Sequence, residues 1–365
     1  MKIGIISSNP KGTGASLRGS YVANALKNNG VDVYYFKPHP KLRLYLDYLV
    51  FTPYNIIRTL NKKFDYIMVL KPFPTGGIAG LLNGYFNGSK VIADLDDLDH
   101  SYRTGIVSKL IETSQKFIVN YADIVTVQDN VELKNYIIKN WKVKKNKIIT
   151  IEQGVDVKFF DPKKYNYKKS RQNLGIKDEE KIICFSGHLN YTAIEVLDLI
   201  YVFKKIIDHE KNVRFLIIGG GIRLNEIKEL AKKLGIFYKI IFTGQINDSK
   251  LMPELLMAAD ICVCYYADRE PNKYRNSMKL REYLSLGKLV VCTNIYDLKK
   301  FKYYTIQTKP DLNSFYHGLI EAIYKKETSK DSLSRRRFIL NKFSWDNIMK
   351  KFLQDLRVKE KDEKV

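Results

Sequence analysis

The chain has 365 residues, more than one hydrophobic core usually serves, so two domains are expected. Its composition, 45% hydrophobic and 28% charged, is typical of a globular protein, and no apolar run reaches the ~18–20 residues of a membrane span. The net charge of +23 favours an anionic partner such as nucleic acid, a membrane surface or a phosphorylated substrate; a generally lysine-rich surface is the alternative.

The first half of the chain alternates short apolar runs with helical stretches. This pattern predicts a parallel sheet with helical crossovers. The N-terminal "MKIGIISSNPKGTG" reads as a first strand rather than a signal peptide. Strands are predicted at 2–7, 31–36, 66–70, 90–95 and 123–128, and helices at 14–30 and roughly 104–121.

A linker is predicted at 148–170, where glycine, proline and a basic, tyrosine-rich stretch interrupt the alternation. The alternation then resumes, with strands predicted at 181–187, 213–221, 239–244, 261–266 and 288–294 and a helix at 224–235. We therefore expect two doubly wound α/β domains, 1–165 and 166–344, with a C-terminal helix (345–358) packing back onto the first. The four cysteines all lie in apolar, strand-like runs, which indicates a reducing cytoplasm rather than a metal site.

The stretch "RNSMKLREYLSLGKLVVCTN" (275–294) carries the strongest functional signal. In doubly wound sheets, ligands bind beyond the carboxyl ends of the strands, here in the cleft expected between two facing domains. Ser277 is a plausible N-cap of a helix whose first N–H groups, with Lys279, would attract an anion. Glu282 could accept two hydrogen bonds from a ribose diol. The alternative is an ordinary surface pair of lysine and glutamate.

The segment "SMKLREYLSLGKLVV" resembles the nucleotide-binding signature of glycosyltransferase family 4, whose members are retaining enzymes of the GT-B fold. Other segments resemble the same family in the expected order: "YADIVTVQDNVELKNYI", "IITIEQGVDVKFFDP", "FSGHLNYT", "FLIIGGG", "IIFTGQIN" and "FSWDNIMKKFLQDL". The resemblance implies two Rossmann-like domains, the first holding an acceptor and the second a nucleotide sugar, most simply a UDP-sugar. It also implies catalysis without a metal or other cofactor.

The resemblance assigns a set of residues to the nucleotide sugar. A loop would face the diphosphate, with Gly187 allowing close backbone approach. A glycine-rich turn and the following loop would line the base. The full set is Gly187, His188, Asn190, Gly219, Gly220, Gly244, Gln245, Arg275, Ser277, Met278, Lys279 and Glu282.

Two positions depart from the family pattern. Tyr274 stands where many members carry another glutamate, and Glu270 lies nearby at a different spacing. His188 and Ala193 stand where many members carry a basic pair. Lys279, with Arg275 or Lys273, is expected to supply the missing charge.

Three regions of the first domain are candidate contacts. Gly12 and Gly14 lie in a glycine-bearing loop that would close over the donor; a simple strand–helix turn is the alternative. Asp97 and His100 follow a predicted strand in "ADLDDLDHSY" as donor-sugar or acceptor contacts, with capping roles or a metal as alternatives. Segment 37–64 combines a basic rim with apolar residues at helical spacing, which suits anionic lipid or an ordinary core helix.

The sequence thus predicts a cytoplasmic glycosyltransferase, peripheral on the inner face of the cell membrane, that transfers a sugar to a glycan or lipid-linked acceptor with retention. Lys279, Glu282, Asp97 and His100 are the expected catalytic residues. An inverting transferase or a sugar-nucleotide epimerase are alternatives, and an inactive partner subunit is the non-enzymatic one. Nucleic acid is not expected, because aromatic residues do not interleave with basic ones on a recognisable module.

Overall fold

The computed structural model describes residues 1–11, 13–40, 42, 46–190, 193–248 and 250–362. They form two units: the first comprises Met1–Gly154, Lys273–Asn276 and Ser344–Val365, and the second Val155–Asn272 and Ser277–Phe343. The short segment Lys273–Asn276 therefore belongs to the first unit, although the chain on either side of it belongs to the second.

The first unit is built on a six-stranded parallel sheet with the strand order β2-β1-β3-β4-β5-β6. Its strands are β1 (Lys2–Ser7), β2 (Asp32–Phe36), β3 (Tyr66–Leu70), β4 (Lys90–Leu95), β5 (Ile124–Gln128) and β6 (Ile148–Ile151). Its helices are α1 (Gly14–Asn28), α2 (Leu46–Leu60), α3 (Pro74–Asn87), α4 (Gly105–Tyr121) and α5 (Val131–Trp141). The C-terminal helix α14 (Trp345–Asp362) packs on α1 and β6.

Both faces of this sheet are covered by helices. Right-handed crossovers from β2 toward β6 put α2 to α5 on one face, whereas α1 runs the opposite way along the sheet and covers the other. Because both faces are buried, the strands read as continuous apolar runs rather than alternating ones. This explains why they were recognisable in the sequence.

The second unit repeats the architecture with the strand order β12-β11-β10-β7-β8-β9, again all parallel. Its strands are β7 (Lys181–Ser186), β8 (Val213–Ile218), β9 (Ile240–Phe242), β10 (Ile261–Cys264), β11 (Leu289–Thr293) and β12 (Ile306–Thr308). The remaining helices of the chain are α6 (Tyr167–Asn173), α7 (Ala193–His209), α8 (Leu224–Lys233), α9 (Leu251–Met257), α10 (Glu270–Lys273), α11 (Met278–Ser285), α12 (Leu312–Tyr324), α13 (Ser329–Lys342) and α14 (Trp345–Asp362).

The structure corrects two details of the predicted organisation. The predicted linker 148–170 begins with the edge strand β6, a run too short to stand out beside the breaks that follow it. The boundary between units falls after Gly154 rather than after residue 165, because Val155 and Phe160 are buried in the core of the second unit. Among the described residues, no helix is both long and apolar enough to cross a bilayer.

The strand order locates the expected ligand site of the second sheet. β7 lies between β10 and β8. The connection after β7 leads to β8, whereas the connection after the neighbouring β10 leads the opposite way along the sheet, to β11. A crevice opens at such a switch point beyond the carboxyl ends of the strands. The loops that follow β7 and β10, and the start of α11, therefore lie where a doubly wound sheet binds its ligand.

Candidate functional site

Ser277 caps the N-terminus of α11. Ser277 has extended backbone angles, and its hydroxyl accepts a hydrogen bond from the Leu280 N–H. Ser277 is buried, so this cap is shielded from water. The first N–H groups of a helix have no partner within it and carry a partial positive charge, which makes this end suited to a phosphate.

Lys279 places a full positive charge next to this helix end and to the loop after β7. Its Nζ atom lies 4.0 Å from the centroid of the Phe185 ring, a cation–π contact. A Cβ atom added to Gly187 would lie 3.5 Å from the same Nζ atom. The structure thus brings together Lys279 and Gly187, which are 92 residues apart in the sequence.

Glu282 lies one turn further along α11 and is mostly buried but not fully enclosed. Burial raises the pKa of its carboxyl group to about 7, and the nearby positive charge of Lys279 only partly opposes this. A partly buried carboxylate gains more binding free energy from a hydrogen-bonding ligand than a fully solvated carboxylate does. The position therefore suits the hydroxyl pair of a ribose.

Three glycines let the loops after β7, β8 and β9 approach closely. A Cβ atom on Gly219 would lie 2.1 Å from the Gly187 oxygen, and one on Gly220 would lie 2.7 Å from the Gln245 nitrogen. A Cβ atom on Gly221 would lie 2.4 Å from the Leu189 backbone. Side chains at these positions would separate the loops, which is why the sequence has three glycines in a row.

Hydrogen bonds join the same loops. The Gly187 N–H donates to the Ile218 oxygen at 3.0 Å, and the Leu189 N–H donates to the Gly220 oxygen at 2.9 Å. The Asn190 side chain accepts the Ile222 N–H at 2.9 Å, so Asn190 organises the loop. The predicted residues Gly187, Asn190, Gly219, Gly220, Gly244 and Gln245 therefore lie in one group of loops, on which the side chain of His188 is exposed.

The segment just before α11 belongs to the first unit. The Asn130 side chain donates a hydrogen bond to the Lys273 oxygen at 2.9 Å, and Tyr274 packs edge-on against Tyr136 with ring centroids 5.5 Å apart. Arg275 lies close enough to Asp97 for its positive charge to oppose, in part, the rise that burial causes in the pKa of that carboxyl group. Tyr274 is thus a buried core residue, and the exposed Glu270 begins the short helix α10.

A cluster of charges lies at the carboxyl edge of the first sheet. Lys71, immediately after β3, has a left-handed backbone (φ 52°) and a buried side chain. Its ammonium group lies 3.1 Å from Asp96, 3.5 Å from Asp97 and 2.7 Å from Asp99. Three carboxylates around one ammonium leave an excess of negative charge.

This excess shows in the pKa values of the cluster. Burial raises the pKa of Asp97 to about 7, while Lys71 opposes the shift and the carboxylates of Asp96 and Asp99 add to it. Burial likewise raises the pKa of Asp99, again against the pull of Lys71. Asp97 can therefore hold or release a proton near neutrality and can hydrogen-bond a sugar hydroxyl in either state.

The other predicted residues of the first unit lie in different surroundings. His100 Nε2 lies 3.2 Å from the Tyr136 hydroxyl, and burial lowers the pKa of the imidazole despite the carboxylate of Glu112. This imidazole packs beside the rings of Tyr136 and Trp141, and the carboxylate of Asp99 from the Lys71 cluster also opposes the lowering of its pKa. Gly14 begins α1 after the cap Thr13, in open space, and Gly12 lies outside the described residues.

Sequence reasoning missed three parts of these sites. Lys71 could have been found, because it directly follows a predicted strand. The buried pair of Arg18 and Asp94 joins α1 to β4 at the same edge, but nothing in the sequence indicates that they meet. The buried pair of Arg281 and Asp297 lies beneath α11 and was equally hidden.

Two parallel six-stranded sheets, each with helices on both faces, define a two-domain α/β protein of the GT-B fold. The structure is similar over 99% of this chain and 98% of the other to a glycosyltransferase from Rickettsia africae, with a TM-score of 0.73 and 18% identity. It is also similar to Anabaena Alr3699/HepE in complex with UDP and glucose, with a TM-score of 0.74 and 14% identity over 98% of this chain and 99% of that one. At these identities the likeness establishes the fold.

The match to a family model lies almost entirely in the second unit. Residues 166–301 match the family model described as "Glycosyl transferases group 1". An uncharacterized glycosyltransferase of Methanocaldococcus jannaschii is 25% identical over 263 residues, which cover 65% of this chain and 60% of that protein. The alpha-monoglucosyldiacylglycerol synthase of Streptococcus pneumoniae is 32% identical over 122 residues, 33% of this chain and 27% of that protein. The matched regions thus span less than two thirds of these relatives.

Proposed function

We propose that this protein is a glycosyltransferase that moves a sugar from a nucleoside diphosphate, most simply UDP, to a glycan or lipid-linked acceptor with retention of anomeric configuration. The observation that carries the proposal is the placement of Lys279 and Glu282 at the start of α11, beside the Gly187 loop. A helix end, an ammonium group and a carboxylate match the phosphates and ribose of one ligand. The "Glycosyl transferases group 1" match over this region supports the same reading.

Catalysis would be mainly electrostatic. As the bond between the sugar C1 and the phosphate oxygen breaks, negative charge grows on the leaving diphosphate. The N–H groups of α11 and the ammonium of Lys279 would stabilise that charge. The departing phosphate would accept the proton of the acceptor hydroxyl, so no protein nucleophile is required. Asp97 and His100 in the first unit are the proposed contacts for the transferred sugar or the acceptor.

The donor and reaction are tested by product analysis. The protein is incubated with radiolabelled UDP-sugars and a membrane extract, and the anomeric configuration of the product is determined. We expect a glycosylated product with the donor's configuration. An inverted anomer would identify an inverting transferase, and an altered free UDP-sugar an epimerase. UDP binding without any product would favour an inactive subunit.

The acceptor proposal rests on an apolar surface formed by α2, α3 and α4, which we call the α2–α4 surface. These helices neighbour one another on one face of the sheet, and their solvent side exposes large apolar residues. The exposed side chains are Leu46, Leu49, Val50, Tyr54, Ile57, Tyr85, Phe86, Ile106, Leu110, Phe117 and Tyr121. Such a concentration of exposed apolar side chains is unusual on a protein surface and indicates an interaction site.

The charges around the α2–α4 surface favour anionic lipid. The three helices contain two acidic residues, and the carboxylates of both accept hydrogen bonds from other residues of the protein. Asp47 accepts the Leu42 N–H, and Glu112 accepts from Tyr136 and Trp141. Lys109 and Lys116 are exposed. We therefore propose that segment 37–64, extended by α3 and α4, contacts an anionic membrane at the cytoplasmic side.

Vesicle co-sedimentation tests the membrane contact. We expect the protein to sediment with vesicles containing phosphatidylglycerol, and Leu49→Ser with Ile57→Ser to abolish this. Both side chains are exposed, so the fold should be unaffected. Tyr201→Ser is a matched control on the exposed side of α7. Equal sedimentation of the double variant and the control would reject the α2–α4 surface as the contact.

A further inference from the structure

The backbone of Ser277, the N-cap of α11, is held from beneath by a buried ion pair. The Ser277 N–H donates to Asp297 Oδ2 at 2.9 Å, and the Ser277 oxygen accepts from Arg281 Nη1 at 2.8 Å. With the Leu280 N–H on its hydroxyl, the cap is bonded through the amide, the carbonyl and the side chain. The direction of the α11 N-terminus is therefore set by Asp297 and Arg281.

The ion pair itself is buried and is joined by two hydrogen bonds. Arg281 donates to Asp297 through both terminal nitrogens, at 2.7 and 2.9 Å, a bidentate arrangement. The two side chains are 0% and 1% exposed. The guanidinium carbon lies 5.0 Å from the Phe301 ring centroid and 4.9 Å from that of Phe343. Aromatic rings and a carboxylate thus fix the guanidinium in one orientation.

Stability alone does not explain this pair. Desolvation of two charges offsets most of their attraction, and apolar residues of similar size often serve a core equally well. A buried pair does hold the groups bonded to it in one geometry. Here those groups are the two backbone atoms that aim the first N–H groups of α11.

We propose that Asp297 and Arg281 are positioning residues, which hold the N-terminal turn of α11 in the geometry that binds the diphosphate of the donor. This inference rests on the proposed function, because it concerns the same nucleotide site. Neither residue is expected to touch the donor. Their effect passes through Ser277 and the turn that carries Lys279.

The direction in which Asp297→Asn changes the affinity for UDP distinguishes a positioning role of the pair from a purely electrostatic one. Asp297→Asn keeps an oxygen for the Ser277 N–H but removes the charge that neutralises Arg281. If only charge mattered, the uncompensated guanidinium would strengthen UDP binding. If positioning matters, the loosened turn would weaken UDP binding by about tenfold or more, because small misplacements at a site are costly.

A second variant distinguishes a positioning role from loss of the fold. Arg281→Met with Asp297→Leu replaces the pair by apolar residues of similar volume, so the protein should still fold, with a melting temperature lowered because the buried Ser277 N–H loses its acceptor. We still expect at least a tenfold rise in the Kd for UDP, since the Ser277 backbone loses both of its side-chain partners. The control is Asp260→Asn. Asp260 directly precedes β10, at the end of that strand opposite to α11, and its carboxylate pairs with the buried Arg171 of α6. This substitution should lower the melting temperature without changing the Kd for UDP.

Isothermal titration calorimetry measures the Kd for UDP of the three variants and of the wild type. Weaker binding by Asp297→Asn and by the double variant, with an unchanged control, supports the inference. Wild-type affinity in a folded double variant, or stronger binding by Asp297→Asn, overturns it while leaving the proposed function intact. Absence of UDP binding by the wild type would overturn the proposed function and this inference together.

Discussion

Glu282→Gln is the substitution whose consequences follow most directly from the structure. Burial raises the pKa of Glu282 from 4.5 to about 7 in the folded protein. The folded state therefore holds this proton more tightly than the unfolded chain does. The stabilising effect of the protonated carboxyl is fully present below about pH 4.5 and is lost as the pH rises through about 7.

The magnitude follows from the size of the shift. The rise in the Glu282 pKa from 4.5 to about 7 corresponds to at most about 3.4 kcal/mol of destabilisation by the charged carboxylate at about pH 8. Partial solvent access reduces this, so we expect about 1–2 kcal/mol. Glutamine cannot ionise, so Glu282→Gln should melt about 2–6 °C higher than the wild type near pH 8. The gain should shrink toward pH 5.

The same substitution should weaken UDP binding, because the carboxylate is the proposed acceptor of the ribose hydroxyls. Wild-type affinity should fall as the pH drops below about 7, whereas that of Glu282→Gln should be low and nearly independent of pH. Differential scanning fluorimetry and titration calorimetry over this pH range measure both effects. A variant with wild-type melting temperature and wild-type UDP affinity at every pH would refute the reasoning.

Three further substitutions test other parts of the site. Lys279→Met keeps the apolar stem and should weaken UDP binding about 10–100-fold but leave uridine binding unchanged; equal losses for both ligands would argue against a phosphate contact. Asp97→Asn should remove any rise in kcat through about pH 7 at saturating donor, and persistence of that rise would assign it to another group. Gly220→Ala should lower stability by about 1–3 kcal/mol, since its Cβ would lie 2.7 Å from the Gln245 nitrogen. Gly14→Ala is the thermal-melt control, because its Cβ would meet nothing within 4 Å.

Much of the fold could be predicted because buried parallel strands are continuous apolar runs. β3, β4 and β5 stand out for this reason, and the glycines after helices mark their ends. β6 and β12 are short edge strands and were missed. Each is a run of only three or four residues, and nearby glycine and proline obscure it.

The candidate site was predictable where local sequence determines geometry. The cap at Ser277 and the spacing of Lys279 and Glu282 are local features, and the structure has them as expected. Whether a side chain is buried, and which residue it pairs with, depends on distant parts of the chain rather than on the local sequence. Arg281 looks like a surface residue of the same helix, yet it is fully buried against Asp297, sixteen residues later.

The first unit illustrates the same limit. The aspartates after β4 were recognisable as a cluster, but the lysine that holds them comes from the end of the neighbouring strand β3. His100 belongs to the same short segment as Asp97, yet its ring packs beside Tyr136. Neighbours in the sequence can thus face different surroundings, which spacing alone does not reveal.

The central claim is that the N-terminus of α11, with Lys279 and Glu282, binds the nucleoside diphosphate of a sugar donor. A crystal structure of the protein with UDP tests it most directly. We predict a phosphate oxygen within hydrogen-bond distance of the first N–H groups of α11 and of Lys279 Nζ, and the ribose hydroxyls on the Glu282 carboxylate. UDP bound elsewhere on the chain, with this helix end empty, would contradict the account.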